Sequence, residues 1–241
     1  MLRDIRRRAA KAGKALFSRN ASEGSAKHHR SNRLTMETLE PRMLLTGVPA
    51  TASNLMVTEL NYNPYDYAVT SPNGVGDKED FEFIEFQNVS DVEIDLTGVI
   101  ITGSHITFAF TGSEITSLQP YEYVVVVGSE IHFAERYTTD RVAGEWGPDE
   151  NLPDDGDTEA EQIILQDASG NQILAFDYRN KGNWPGRADG DGATAELISP
   201  TDARDITNQA DRTAYLRDDD SWRASGEFGG SPGTVGRGPN N

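Results

Sequence analysis

The stretch EQIILQDASGNQILAFDY, residues 161–178, decides the fold class of this chain. Two apolar runs flank the turn sequence DASG, and that arrangement indicates a β-hairpin. Outward from it, similar runs occupy residues 54–64, 81–90 and 121–128. No segment after Leu55 shows sustained helical periodicity, and turn signals are frequent. About eight short strands at such spacings predict an all-β protein with an immunoglobulin-like β-sandwich.

Composition narrows the class of protein further. The chain has 241 residues, 36% of them hydrophobic, which is enough apolar material for one core. It has no cysteine, so disulfides, thiolate zinc sites and cysteine nucleophiles are excluded. No run approaches the ~18 apolar residues of a spanning helix, and we therefore expect a body that is not embedded in a membrane.

Charge is distributed very unevenly along the chain. Residues 1–46 carry 11 Lys and Arg against 4 Asp and Glu, a balance of +7. Residues 47–241 carry 11 against 35, a balance of −24. A basic leader thus precedes an acidic body. Such a body repels phosphate backbones, which argues against nucleic acid as a partner.

The leader predicts an export function. Within residues 2–18, apolar residues recur at spacings of three and four with Arg and Lys among them, which is typical of a short basic helix suited to an anionic membrane surface. The segment LEPRMLL follows at residues 39–45. It resembles the LEPRxLL sorting segment near the N-terminus of many exported proteins of planctomycete-type bacteria. The resemblance implies a secreted or cell-surface (envelope) protein whose sorting residues are Leu39, Glu40, Pro41, Arg42, Leu44 and Leu45.

An ordered series of motifs runs through the body. They are VTELNYNP at 57–64, FIEFQN at 83–88, IDLTG at 94–98, LQP at 118–120, IILQD at 163–167, WP at 184–185, AELI at 195–198 and GGSPG at 229–233. Together they resemble the bacterial lamin-tail domain over roughly residues 54–234. The resemblance implies an immunoglobulin-like sandwich that serves as an adhesion or interaction unit. The chain departs from the family pattern by acidic insertions near 66–80, 129–160 and 201–220, which we interpret as loops.

These observations predict the domain organisation. Residues 1–50 form a basic export leader, largely disordered with a helix at 2–18. Residues 51–235 form the lamin-tail-like sandwich, and residues 236–241 form a disordered tail.

Acidic turns are the candidate metal sites. Carboxylates in turns supply the hard oxygen ligands that Ca²⁺ takes in sets of about 6–8. The spacing does not fit an EF-hand loop, and structural turns explain the same clusters. The candidate ligands are Asp154, Asp155, Asp157, Asp189 and Asp191, with Asp149 and Glu150 nearby. Apart from Ca²⁺ at these turns, we expect no cofactor.

Other side chains have both a chemical and a structural interpretation. Glu59, Glu82 and Glu85 could pair for acid–base work, although strand carboxylates usually face solvent. A catalytic histidine would need a nucleophile, and the sequence has no nucleophile signature such as GxSxG. We therefore interpret His105 and His132 as surface or edge residues. Aromatic residues are either a binding platform or core caps. The platform candidates are Tyr62, Tyr65 and Tyr67, and the cap candidates are Trp184 and Trp222.

The hypothesis favoured by the sequence is an exported, non-enzymatic structural or interaction module of adhesion type. Its partner would be a protein or glycan at the cell surface. Two alternatives stay open at this point. One is a Ca²⁺-stabilised extracellular matrix protein, and the other is a metal-dependent hydrolase that uses the acidic loops.

Overall fold

The computed structural model describes residues 47–66, 70–71, 74–103, 105–154 and 161–238. These residues fall in one unit, Leu44–Asn241. The predicted leader helix at 2–18 and the sorting segment at 39–45 lie outside the described residues. So do Asp155, Asp157 and Tyr67.

Short strands dominate the described chain. In chain order they are β1 (Val48–Pro49), β2 (Leu55–Asn61), β3 (Thr70–Ser71), β4 (Gly74–Val75), β5 (Phe83–Asn88), β6 (Ile94–Asp95), β7 (Ile100–Thr102), β8 (Phe108–Ala109), β9 (Ser117–Leu118), β10 (Tyr123–Val127), β11 (Val142–Glu145), β12 (Glu161–Gln166), β13 (Gln172–Tyr178), β14 (Ala195–Leu197) and β15 (Trp222–Ala224).

Two sheets form the sandwich. The larger has six strands in the order β11-β10-β5-β2-β14-β15, and the smaller has the order β13-β12-β7-β8. Pairing is antiparallel except between β10 and β11. A three-stranded sheet, β1-β6-β9, and the β3-β4 ribbon complete the pattern. The predicted all-β, immunoglobulin-like sandwich is confirmed.

The predicted hairpin at 161–178 is also confirmed. Strands β12 and β13 pair antiparallel, with Ile163 opposite Phe176 and Leu165 opposite Leu174. Gly170 closes the turn at φ 80°, a conformation that glycine adopts without a Cβ penalty. These four apolar side chains join the main core.

The alternation along β5 places the core and the candidate site on opposite faces of the large sheet. Ile84 and Phe86 point into the main core between the sheets. Phe83 belongs to a second apolar cluster with Val125, Val127 and Phe133 on the other face. Because side chains alternate along a strand, Glu85 shares the second face with Phe83.

The expectation of no helix in the body is wrong. Helices occur at α1 (Glu130–Arg136), α2 (Pro200–Asp205) and α3 (Gln209–Arg217), with short 3-10 turns at Lys78–Phe81, Gly186–Ala188 and Asp219–Ser221. In α3 only Arg212 and Leu216 are buried, so too few apolar residues mark a periodic face. Asn208 caps it by accepting from the amides of Ala210 and Asp211. The insertions near 129–160 and 201–220 are therefore partly helical.

None of the helices in the described part of the chain has the length and hydropathy that crossing a bilayer requires.

Trp184 and Trp222 are buried in the main core, as predicted, and their rings stack 5.5 Å apart. Residues 236–238, assigned to the tail from sequence, are described here and make contacts, whereas 239–241 lie outside the described residues.

Candidate functional site

Three glutamates lie side by side on the second face of the large sheet. Glu59 on β2 is the register partner of Glu85 on β5 and of Glu196 on β14. Their exposed fractions are 1%, 1% and 2%. We call these residues the glutamate ladder. The expectation that Glu59 and Glu85 face solvent is wrong, because a distant segment of the chain covers them.

Residues 229–238 form that cover, which we call the C-terminal strap. The Ser231 amide donates to Glu59 Oε1 at 3.0 Å, and the Gly233 amide donates to Glu85 Oε2 at 2.6 Å. The Gly238 amide donates to Glu196 Oε2 at 3.2 Å. The strap thus pairs its backbone donors with carboxylates instead of with a neighbouring strand.

The strap can approach so closely because it lacks side chains at critical points. Gly230 has φ 87°, and a Cβ there would overlap Glu59 Oε1 and the side chain of Thr194. Two threonine hydroxyls also donate hydrogen bonds to the ladder. Thr58 Oγ1 donates to Glu85 Oε1 at 2.5 Å, and Thr194 Oγ1 donates to Glu59 Oε1.

A cation, Arg223, contacts the ladder directly. Arg223 Nε lies 3.0 Å from Glu196 Oε2, and its Nη2 donates to the Gly236 carbonyl at 3.1 Å. Arg223 therefore ties the ladder to the strap. Glu196 Oε1 is buried and has no hydrogen-bond partner among the described residues. It lines a cavity of ≈ 210 Å³ together with Glu59, Glu85 and Val235.

Burial controls the protonation of the ladder. Removal from water raises the pKa of Glu59 to about 7, with hydrogen bonds from Thr194 and Ser231 opposing the shift. Burial, and then the charge of Glu59, raise the pKa of Glu85 well above its usual range. Burial also raises the pKa of Glu196, against the pull of Arg223. The ladder therefore holds protons near neutral pH instead of carrying three charges.

Glu82 is a separate buried carboxyl group. Its Oε2 accepts from the Leu152 amide at 2.6 Å, and burial raises its pKa to about 9. The expectation of a solvent-facing Glu82 is wrong for the same reason as for the ladder. Each of these glutamates binds backbone amides of its own chain, an arrangement that organises loops.

Beside the ladder lies an open groove of ≈ 900 Å³. We call it the Tyr121 groove. Gly233 and Thr234 of the strap form part of its wall, and the other lining residues include Tyr121, Tyr123, Tyr137, Thr138, Thr139 and Arg141. Arg141 pairs with Asp140 (Nε to Oδ1, 2.9 Å) and with Glu122 (Nη1 to Oε1, 3.1 Å). Tyr137 donates its hydroxyl to the Gly229 carbonyl at 2.6 Å, which fixes the strap against this wall.

Sequence reasoning missed this groove, and neither Tyr62 nor Tyr65 lines it. Tyr62 is buried against Tyr178, with ring centroids 5.0 Å apart. Tyr65 stays exposed beside Phe228. The available signal was the sequence QPYEY at 119–123, which places a tyrosine directly after a proline in a turn.

Two of the candidate calcium ligands, Asp154 and Asp189, are bound by other side chains. Asp154 pairs with Lys78, whose Nζ also donates to Asn63 Oδ1 at 3.0 Å. Asn63 Nδ2 in turn donates to Asp189 Oδ1 at 2.8 Å. Asp191 is exposed. Lys78 and Asn63 thus connect Asp154 to Asp189, and the acidic turns serve as partners for a lysine and an amide.

One of the two body histidines differs from the sequence interpretation. His132 is not an open surface residue, since its Nδ1 lies 3.1 Å from Ser129 Oγ and 3.5 Å from Asp80 Oδ2. His105 is exposed, as expected. Asp218, Asp219 and Asp220, which were not singled out from sequence, place carboxylate oxygens within 4.8 Å of one another.

Fold and site together define an immunoglobulin-like β-sandwich module whose buried carboxylates bind its own backbone. Residues 49–180 match the sequence model of the Lamin Tail Domain. The match spans more than half of the chain, so this chain belongs to the lamin tail domain family, whose members are generally non-enzymatic. No curated protein matches it. Glu59 and Glu85 lie inside the matched range, whereas Glu196 and the strap lie beyond it.

Proposed function

We propose that this chain is an exported, non-enzymatic interaction module of adhesion type that acts in the extracellular space or at the cell surface. Membership of the lamin tail domain family supports the non-enzymatic part of this proposal. Its partner would be a surface protein or glycan.

The observation that carries the proposal is that the oxygen atoms of the glutamate ladder bind the protein's own backbone. An acid–base pair acts on a substrate that reaches its oxygen atoms. Here the Ser231 and Gly233 amides donate hydrogen bonds to oxygens of Glu59 and Glu85. The carboxylates thereby hold the strap, and the strap forms a wall of the Tyr121 groove. Such an arrangement uses buried acidic side chains to shape a binding surface.

Export is the role proposed for the leader. The segment 39–45 would act as the sorting address, and the basic stretch 2–18 would contact anionic lipid during export. Both lie outside the described residues.

The two alternatives have weaker support. A calcium-stabilised matrix protein would need Asp154 and Asp189 free for the ion, yet Lys78 and Asn63 bind them. A metal-dependent hydrolase would need the same oxygens for its metal.

Protease treatment of intact cells tests the proposal. The full chain is produced in a planctomycete-type host and followed with antiserum against the body. We expect external protease to digest it, and we expect the combined change Arg42→Ala, Leu44→Ala, Leu45→Ala to leave it protected inside the cell. The Arg33→Ala variant, one leader charge outside the segment, is the matched control and should be sorted normally. Protection of the unaltered chain, or normal sorting of the triple variant, would contradict the proposal.

A further inference from the structure

Tyr121 occupies a turn position that favours glycine. The Glu122 amide donates to the Gln119 carbonyl at 3.1 Å, which closes a turn over residues 119–122. Pro120 is its second residue and Tyr121, at φ 64°, its third. This is the arrangement of a type II turn, whose third position takes positive φ and is usually glycine or asparagine. A tyrosine there costs conformational free energy.

The fold gains little from the ring in return. Tyr121 is 56% exposed, so more than half of its side chain stays in solvent, and it lies close enough to Arg204 to interact electrostatically. Its carbonyl accepts from Gln87 Nε2 at 3.1 Å, but any residue at this position would offer the same carbonyl. The strained turn therefore presents an aromatic ring at the groove instead of packing it. Backbone strain that the local fold does not use is a marker of function.

The surroundings of the ring combine two kinds of recognition chemistry. Tyr121 and Tyr123 supply aromatic surface along the groove. Arg141, with Asp140 and Glu122, supplies planar donors and acceptors within one short stretch of wall. Thr138 and Thr139 line the same groove. A sugar ring matches this set, because it has apolar C–H groups on its face and hydroxyl groups around its edge.

Charge and size restrict the ligand class. The acidic body, with its balance of −24 over residues 47–241, repels polyanions. The groove volume of ≈ 900 Å³ lies within the range of about 300–1,000 Å³ that is usual for ligand sites. Charge thus disfavours a polyanion, and the aromatic and hydrogen-bonding wall then favours a ligand with many hydroxyl groups.

We propose that the Tyr121 groove binds a neutral glycan, with Tyr121 stacking on a sugar ring and Arg141 donating to its hydroxyls. This inference rests on the proposed function, because it names the ligand class of the interaction module. The strap contributes Gly233 and Thr234 to the wall, so binding depends on a docked strap.

Affinity electrophoresis of the full chain tests this proposal. The native gels contain β-glucan, xyloglucan, galactomannan or dextran, and a gel containing polylysine represents a cationic peptide. We expect retardation by at least one neutral polysaccharide. Tyr121→Gly should weaken that binding at least about tenfold, as loss of a central aromatic contact does. Its Tm should be unchanged or higher, because glycine relieves the turn.

Two further variants separate ring chemistry from general surface effects. Tyr121→Phe keeps the ring and should retain most of the binding. Tyr65→Ala removes an exposed aromatic residue outside the groove lining and should bind like the unaltered chain.

Three results would overturn the glycan assignment. They are no retardation in any neutral gel, retardation by polylysine alone, and full binding by Tyr121→Gly. The protease test on intact cells is independent of these gels. A surface-exposed chain without glycan binding would leave the proposed function standing and remove only this inference.

Discussion

Glu59 and Glu85 are register partners on adjacent antiparallel strands, and both carboxyl groups are buried under the C-terminal strap. Two acidic side chains in this relationship repel each other when ionised, and burial adds a desolvation cost. Hydroxyls of Thr58 and Thr194 and amides of Ser231 and Gly233 offset part of that cost. The face is therefore stable only while its protonation and its hydrogen bonds are maintained together.

The stability of this protein should fall as pH rises. Burial raises the pKa of Glu59 from 4.5 to about 7, so the folded state binds protons more tightly than the unfolded state does. The stabilisation is complete below about pH 4.5 and is lost as pH rises through 7. One pKa unit is worth about 1.4 kcal/mol, which puts the effect on the order of 3 kcal/mol. Urea unfolding at pH 5, 6, 7 and 8 measures it. A Glu59→Gln variant should show a flatter profile, and a rise in stability between pH 5 and 8 would contradict the account.

Adding a single methyl group to the strap should lower the stability of the protein. Gly230 and Gly170 have similar φ angles of 87° and 80°, so alanine costs each about 1 kcal/mol of backbone strain. At Gly230 the new Cβ also overlaps Glu59 and Thr194, whereas at Gly170 it meets open space. Gly230→Ala should therefore destabilise the protein by at least about 2 kcal/mol more than Gly170→Ala. Equal losses of unfolding free energy in the two variants would argue against a closely docked strap.

Removing the cation beside Glu196 should leave a buried charge without compensation. Arg223→Met should cost about 2 kcal/mol at pH 8, below the full value for a buried pair because Arg223 is partly exposed. The cost should shrink as pH falls, because burial raises the pKa of Glu196 and so favours its neutral form. The double variant with Glu196→Gln should recover most of the loss, and a double-mutant cycle quantifies this. Asp205→Ala, which breaks an exposed pair with Arg204, is the control and should match the unaltered chain. A pH-independent cost would mean that Arg223 acts through packing alone.

The segment beyond the family match should be needed for folding. Strand β14 lies between β2 and β15 in the large sheet. Deleting residues 181–241 removes β14, β15 and the strap, which leaves an apolar edge at β2 and uncovers Glu59. Unprotected strand edges of this kind aggregate. Residues 47–180 should therefore sediment as aggregate, whereas residues 47–238 should elute as a folded species in size-exclusion chromatography. A soluble, folded 47–180 fragment would show that the family core is self-sufficient.

The strands could be predicted because their signal is local. The run EQIILQDASGNQILAFDY contains both arms and the turn of its hairpin, so alternation and turn chemistry together define it. Phe83 and Ile84 likewise fall on opposite faces, as alternation requires. The helices were missed because α3 buries only Arg212 and Leu216 and so has no periodic apolar face.

The site could not be predicted because its contacts are distant in sequence. Glu59 and Ser231 are separated by 172 positions, and nothing near Glu59 indicates that a strap covers it. A glutamate between apolar strand residues therefore has the pattern of a solvent-facing position. The pairing of Lys78 with Asp154 could not be predicted for the same reason, since the acidic turn gives no sign of its lysine partner 76 positions away.

Amide hydrogen exchange of the strap tests the central claim most directly, namely that buried glutamates hold this segment in place. The measurement is made by NMR on the full chain at pH 6, for Ser231, Gly233 and Gly238. We expect these amides to be protected from exchange, and Glu59→Met, Glu85→Met and Glu196→Met, which remove the acceptor oxygens, should each weaken the protection of the amide bound to that residue. Protection should be unchanged for the Gly170 amide, which donates to the Asp167 carbonyl within its own turn. Exchange of the strap amides at the rate of an unfolded chain would contradict the account.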